Sequence, residues 1–135
     1  MILVDTSAWI EFLRDTGSEV CVAVDRLLES DLAICDAVSM EVLAGARSER
    51  HLTQLRGLLA RTTMLPTTPA DYDAAASMYR SCRARGETVG KLIYCLIGAV
   101  AVRAGVEILH ADVDFSSLAR HTEVRLHPES LGRHR

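Results

Sequence analysis

Short, unbroken apolar runs alternate with helix-period segments along this 135-residue chain, beginning with Ile2-Leu3-Val4 and the acid behind it, Asp5. An unbroken run of this kind suits a strand buried on both faces, as in a parallel sheet. Ser7 is placed to cap a helix from Ala8 to about Arg14, with Trp9, Phe12 and Leu13 on one face and Gly17 past its end. A second helix from about Glu19 turns Val20, Val24, Leu27 and Leu28 inward, and Ala33-Ile34-Cys35 reads as the next strand. Helical patterns follow over Val38 to Ala46 and over Leu52 to Leu59, before Met64-Leu65. Thr68-Pro69 with Asp71 marks a helix start: threonine caps, proline suits the first helical position, and an acid complements the positive first turn. Gly86 closes that helix. Leu92 to Ala104 is apolar on nearly every side, as a central helix packed all round would be, and Gly105 ends it. Val106 to Leu109 is expected as a strand, Phe115 to Arg120 as a short helix and Val124-Arg125-Leu126 as an edge strand. The polar, basic tail from Pro128 to Arg135 has little to bury and is expected to be loosely held. This alternation specifies one α/β domain over residues 1–135, a layered sandwich with a mainly parallel central sheet flanked by helices. Ligand sites in such sheets lie at the carboxyl ends of the strands.

Composition excludes other classes. A hydrophobic content of 49% with 24% charged residues is that of an ordinary soluble domain, and a chain of this length buries roughly two thirds of its unfolded surface. The formal net charge of −3 indicates no particular partner. Cys21, Cys35, Cys82 and Cys95 form no C-x-x-C pair, so neither a zinc site nor a disulfide framework is indicated. The opening residues carry no basic leader or cleavage site, and the apolar run from Leu92 to Val102 is shorter than the ~20 residues a membrane span needs. A cytoplasmic protein without a membrane partner is expected.

Position along the elements selects the acids that carry chemistry. Asp5 follows its strand directly and should emerge at the carboxyl edge, either as a ligand or as a cap for the helix behind it. Glu41 has Ala37, Val38, Ala44 and Gly45 as its helical neighbours, none able to pair with it, so it faces either a wet cleft or open solvent. Asp112 and Asp114 follow the last buried strand, close enough together to converge on one oxygen-seeking cation, although Asp114 could instead cap the helix starting at Phe115. Magnesium gives such acids a common purpose, since hard cations prefer carboxylate oxygens and activate water against a phosphodiester. No glycine-rich phosphate loop, G-x-S-x-G elbow or H-E-x-x-H segment offers a competing chemistry. The five histidines lack ligand-like spacing.

Three segments together carry a resemblance: Val4-Asp5-Thr6-Ser7-Ala8-Trp9, Met40-Glu41-Val42-Leu43-Ala44-Gly45 and His110-Ala111-Asp112-Val113-Asp114-Phe115. In this order they resemble the VapC toxins of the PIN-domain family, from Met1 to about Leu126. The resemblance implies a PIN-like α/β sandwich, a magnesium- or manganese-dependent ribonuclease, a VapB-type antitoxin that holds it inactive, and a homodimer. It assigns Asp5 and Asp112 as metal-binding acids, Glu41 and Asp114 as further catalytic acids, and Thr6 and Ser7 as supports. The chain departs from the pattern at Tyr94, ahead of Cys95-Leu96-Ile97, where similar toxins carry an aspartate. Tyrosine, with an ordinary pKa near 10, brings no charge at neutral pH and is a poor magnesium ligand.

Two functional classes follow from these residues. The first is a metal-dependent endoribonuclease impaired by Tyr94, with Arg80, Arg83, Arg85 and Lys91 as candidate contacts for the RNA backbone, or as an ordinary solvated helix face. The second is a catalytically silent module that binds its antitoxin or RNA without cleavage. A phosphotransfer receiver also uses clustered acids, but here the acidic pair comes late in the chain rather than near the first strand.

Overall fold

The computed structural model describes residues 1–131. Its four strands form one sheet in the order β3-β2-β1-β4, with β1 Ile2–Val4, β2 Leu32–Cys35, β3 Thr63–Leu65 and β4 Glu107–Leu109. Every pairing is parallel: Leu3 lies opposite Ala33 on one side and Ile108 on the other, and Ile34 opposite Met64. Parallel strands need crossovers, and helices supply them: α1 Thr6–Leu13, α2 Glu19–Leu27, α3 Asp36–Ala44, α4 Glu49–Leu59, α5 Pro69–Ala84, α6 Leu92–Ala104 and α7 Asp114–His121. The layered α/β arrangement expected from the alternation of elements is therefore the one observed.

Burial follows sheet position. β2 is buried along its whole length, whereas edge strand β3 is largely exposed. Trp9 and Phe115 are the largest wholly buried side chains, and α6 sinks Cys95, Ile97, Val100 and Ala101 beside the sheet. The α6 terminator is Gly105, at φ 69°, a left-handed conformation that glycine adopts without a Cβ penalty. Thr68 and Asp71 form the reciprocal capping box at the start of α5. Asp71, itself buried, also takes a two-point ion pair from Arg103 of α6, which holds its carboxyl below the usual range. Among the described residues no helix is long and apolar enough to cross a membrane.

Four expectations need correction. The cap of α1 is Asp5, not Ser7, and the helix begins at Thr6, because the Asp5 carboxylate accepts the Ser7 N–H in the first turn while the Ser7 hydroxyl is taken up by Asp5 and the Ala111 N–H. α7 begins at Asp114 with Val113 at the cap position, and it is Asp112 that accepts the Asp114 N–H, so Asp114 does not act as the cap. The edge strand over Val124 to Leu126 reduces to a single parallel bridge between Leu126 and Ile108. Pro128, two residues on, has no N–H with which to extend a ladder. The tail is tied down as far as Leu131, since Ser130 is buried with its hydroxyl accepting the His110 N–H, and the Leu131 N–H reaches the His110 carbonyl. Hydrogen bonds to the end of β4 replace the apolar area this segment lacks. The rest of the expected loose tail, 132–135, lies outside the described residues.

Candidate active site

Asp5, at the carboxyl end of the central strand β1, is 1% exposed. Its Oδ2 accepts the Ser7 N–H at 2.9 Å and the Ser7 hydroxyl at 2.5 Å, while its Oδ1 is buried with no hydrogen-bond partner. Burial raises the Asp5 pKa from 3.8 to about 6; the Ser7 bonds oppose this, and the Glu41 carboxylate adds to it. The capping and ligand readings of this residue are thus compatible, one per oxygen.

The next strand over supplies the second half of the site. Ser7 Oγ, donating to Asp5, also accepts the Ala111 N–H at 2.9 Å, so a single hydroxyl ties the end of β1 to the loop after β4. In that loop the Asp112 N–H donates to His110 Nδ1 at 3.1 Å, and Asp112 Oδ1 accepts the Asp114 N–H at 3.0 Å. His110 is wholly buried and lies against Phe115, ring centroids 5.0 Å apart. From α3, directly behind β2, Glu41 reaches the same edge half-buried, its Oε1 accepting the Thr6 hydroxyl at 2.7 Å. Of the two readings open to Glu41, the cleft is the one observed: the residue lines a hollow beside α1, and α1 supplies its hydrogen-bond partner.

Tyr94, in the first turn of α6, donates its hydroxyl to Asp112 Oδ2 at 2.7 Å, with its ring 5.0 Å from that of Phe115. Burial, this hydrogen bond and the charges of Asp112, Asp5 and Asp114 all push its ionisation upward, so the phenol stays neutral. Gly90, just before α6, faces Asp114: a Cβ there would lie 2.5 Å from Asp114 Oδ2, so any larger residue would have to displace that carboxylate. Lys91 adjoins this contact, at the cap position of α6. The arginines are not drawn in. Arg80, Arg83 and Arg85 lie exposed at the far end of α5 and just beyond it, with Arg83 over the Tyr79 ring at 5.7 Å, and no hydrogen bond or ion pair links them to the acids.

The profile of the PIN domain matches residues 2–121. This chain belongs to the PIN-domain family. Among its PIN relatives, ribonuclease VapC11 of Mycobacterium tuberculosis is 43% identical over 129 residues, covering 93% of this chain and 96% of that protein. VapC ribonuclease Mb1587 of Mycobacterium bovis matches to the same extent. The fold is shared with VapBC2 from Rickettsia felis, solved bound to a DNA fragment from its promoter, at a TM-score of 0.75 and 16% identity over 94% of this chain and 98% of that one. It is shared too with Mycobacterium tuberculosis VapC20, a sarcin-ricin loop cleaving toxin, at a TM-score of 0.66 and 21% identity over 93% and 99% of the two chains.

A PIN site calls for a divalent ion, and the residues present fit one at a specific atom. The unpartnered Asp5 Oδ1 is a buried hard oxygen of the kind such a cation satisfies. The acids border one edge without closing on a common point, and among the described residues no three His, Cys, Asp or Glu side chains form a group able to hold an ion. Three of the four carboxylates are engaged by a neutral donor: Asp5 by Ser7, Glu41 by Thr6, Asp112 by Tyr94. Sequence reasoning named all of these residues but missed the cross-links between segments, which join positions 18 to 104 apart and leave no local signal.

Proposed function

We propose that this chain is the toxin half of a VapC-type toxin–antitoxin pair, an endoribonuclease dependent on a divalent ion, magnesium or manganese, and attenuated by Tyr94. The observation that carries this reading is Asp5: a carboxylate sunk at the strand edge, fixed through one oxygen and unsatisfied at the other. Asp5 and Asp112 would hold the ion, with Asp114 beside them. When bound, the ion would supply a nucleophile from water near neutral pH and offset the negative charge of the phosphate. Ser7 fixes the separation of Asp5 and Asp112 by bonding to both their segments. The Thr6 hydroxyl holds Glu41 by a hydrogen bond, and Glu41 would take the proton from the attacking water. Tyr94 opposes all this by spending Asp112 Oδ2 on a hydrogen bond and contributing no charge.

That same hydrogen bond favours a second reading, a module that captures its antitoxin or RNA without cutting. The two separate on cleavage of a structured RNA by the purified chain and by Tyr94→Asp, each with and without magnesium or manganese, with Asp5→Ala as control. Cleavage confined to the aspartate form, or much stronger in it, supports an attenuated ribonuclease; no metal-dependent cleavage in either form supports the silent module. The relatives' pairing as VapB–VapC supports a VapB-type antitoxin as partner, and a cytoplasmic RNA substrate follows from the proposed activity. A homodimer is supported by the exposed Tyr72 and Leu92, which border an apolar hollow between α5 and α6.

A further inference from the structure

Between α1, the end of α3 and the start of α4 lies a hollow of about 300 Å³, at the lower end of the range for small-ligand sites. Its floor is apolar: Ile10 and Leu13 of α1, Val42 of α3 and Leu55 of α4. Its rim is basic: Arg14 just past α1, Arg47 in the α3–α4 turn and His51 in the first part of α4. Arg14 and Arg47 are exposed, and neither guanidinium meets a carboxylate among the described residues. His51 is pinned to the rim because its Nδ1 accepts the Arg47 backbone N–H at 3.1 Å. The remaining wall is Thr6 and Glu41, the pair that also borders the acidic edge.

We infer that this hollow is a nucleotide subsite, which seats one unstacked base of a single-stranded RNA beside the phosphodiester to be cut. Arg14 and Arg47 meet the flanking phosphates. The inference rests on the ribonuclease reading and deepens it. A base that leaves its stack needs an apolar floor for one face, and imidazole or guanidinium planes are common stacking partners. Arginine matches phosphate oxygens with a two-pronged donor geometry. A polyanion approaching Asp5 and Glu41 is repelled by them, and two unpaired arginines next to Glu41 offset that repulsion where the chain must pass. An apolar peptide in the hollow would instead leave both guanidinium groups unpaired, so the charge favours RNA over a hydrophobic protein segment.

The test is binding of a fluorescein-labelled single-stranded RNA oligonucleotide to the full chain in EDTA, over a salt series. The Arg14→Ala/Arg47→Ala double variant should weaken binding about tenfold and lower the salt slope by about 1.4, at about 0.7 per lost phosphate contact on a single strand. Gly45→Leu fills the hollow without changing charge; the nearest atom to its Cβ is Val42 O at 3.4 Å. It should weaken binding and leave the slope alone. Arg61→Ala, which removes an exposed pair with Glu29, should match the parent. Unchanged affinity and slope in the folded double variant, checked by circular dichroism, would overturn the subsite and leave the hollow to a peptide partner. The two proposals fail separately. RNA held through the hollow with no cleavage even by Tyr94→Asp sinks the ribonuclease and keeps the subsite, whereas cleavage by Tyr94→Asp that is indifferent to Arg14 and Arg47 sinks only the subsite.

Discussion

The Tyr94 hydroxyl donates a 2.7 Å hydrogen bond to Asp112 Oδ2, so the side chain standing where relatives of the VapC type are expected to carry an acid occupies an oxygen of the acid beside it. Two effects are superimposed here, a missing negative charge and a masked carboxylate oxygen, and two substitutions separate them. Tyr94→Phe removes only the mask; Tyr94→Asp removes the mask and adds a charge. Manganese affinity, followed by titration calorimetry, is expected to rise modestly in the first and at least tenfold in the second, a change of about 1.4 kcal/mol. Equal affinities across all three forms would show that position 94 does not touch the ion.

Asp5 gives the fold a pH dependence of unusual sign. Its pKa is raised by burial from 3.8 to about 6, so between those values the folded chain binds more protons than the unfolded one. Stability from this group is therefore fully present below pH 3.8 and is lost as pH rises through 6. At pH 7.5 the ionised, half-satisfied carboxylate costs on the order of 2 to 3 kcal/mol. Asp5→Asn should stabilise the metal-free chain at pH 7.5 in urea unfolding, and the advantage should shrink toward pH 4. Added magnesium should stabilise the parent at pH 7.5 and leave Asp5→Asn unmoved. An advantage that persists unchanged at pH 4 would count against a raised pKa.

Much of this arrangement is legible along the chain because its signals are local. Ile2-Leu3-Val4 followed by Asp5 announces a buried strand with an acid at its end, Thr68-Pro69 with Asp71 announces the α5 start, and Gly105 the α6 stop; each is found where the pattern puts it. What escapes is anything set by two distant segments meeting. Glu41 has no helical neighbour to pair with, and its partner Thr6 is 35 residues away. Ser130 sits in a polar tail, and its burial depends on the backbone of His110 rather than on apolar area. The basic rim of Arg14, Arg47 and His51 comes from three separate elements and has no motif.

Leu92 and Tyr72 are 62% and 61% exposed, and with Ala76 and Leu96 they border a hollow between α5 and α6 that is almost wholly apolar. A second copy of the chain covering this face would remove that apolar area from water. Leu92→Glu places a charge there without disturbing the core. By light scattering after size-exclusion chromatography the parent is expected to run as a dimer and Leu92→Glu as a monomer. A dimer that survives the substitution would place the interface elsewhere.

Gly90 and Asp114 are close enough that a methyl group at position 90 would come within 2.5 Å of Asp114 Oδ2. The atom that must yield is the end of a short side chain at the start of α7, not backbone, so the fold can absorb Gly90→Ala by rotating the carboxylate. The effect on stability should therefore stay within about 1 kcal/mol, in the range of ordinary substitutions away from the core. The effect on chemistry should be larger, because a carboxylate displaced by even 1 Å no longer meets an ion or a water as before. In the Tyr94→Asp background, where cleavage is expected to be measurable, Gly90→Ala should lower the rate by an order of magnitude or more at unchanged urea midpoint. A parallel loss of stability and rate would mean the glycine serves only packing, and an unchanged rate would remove Asp114 from the site.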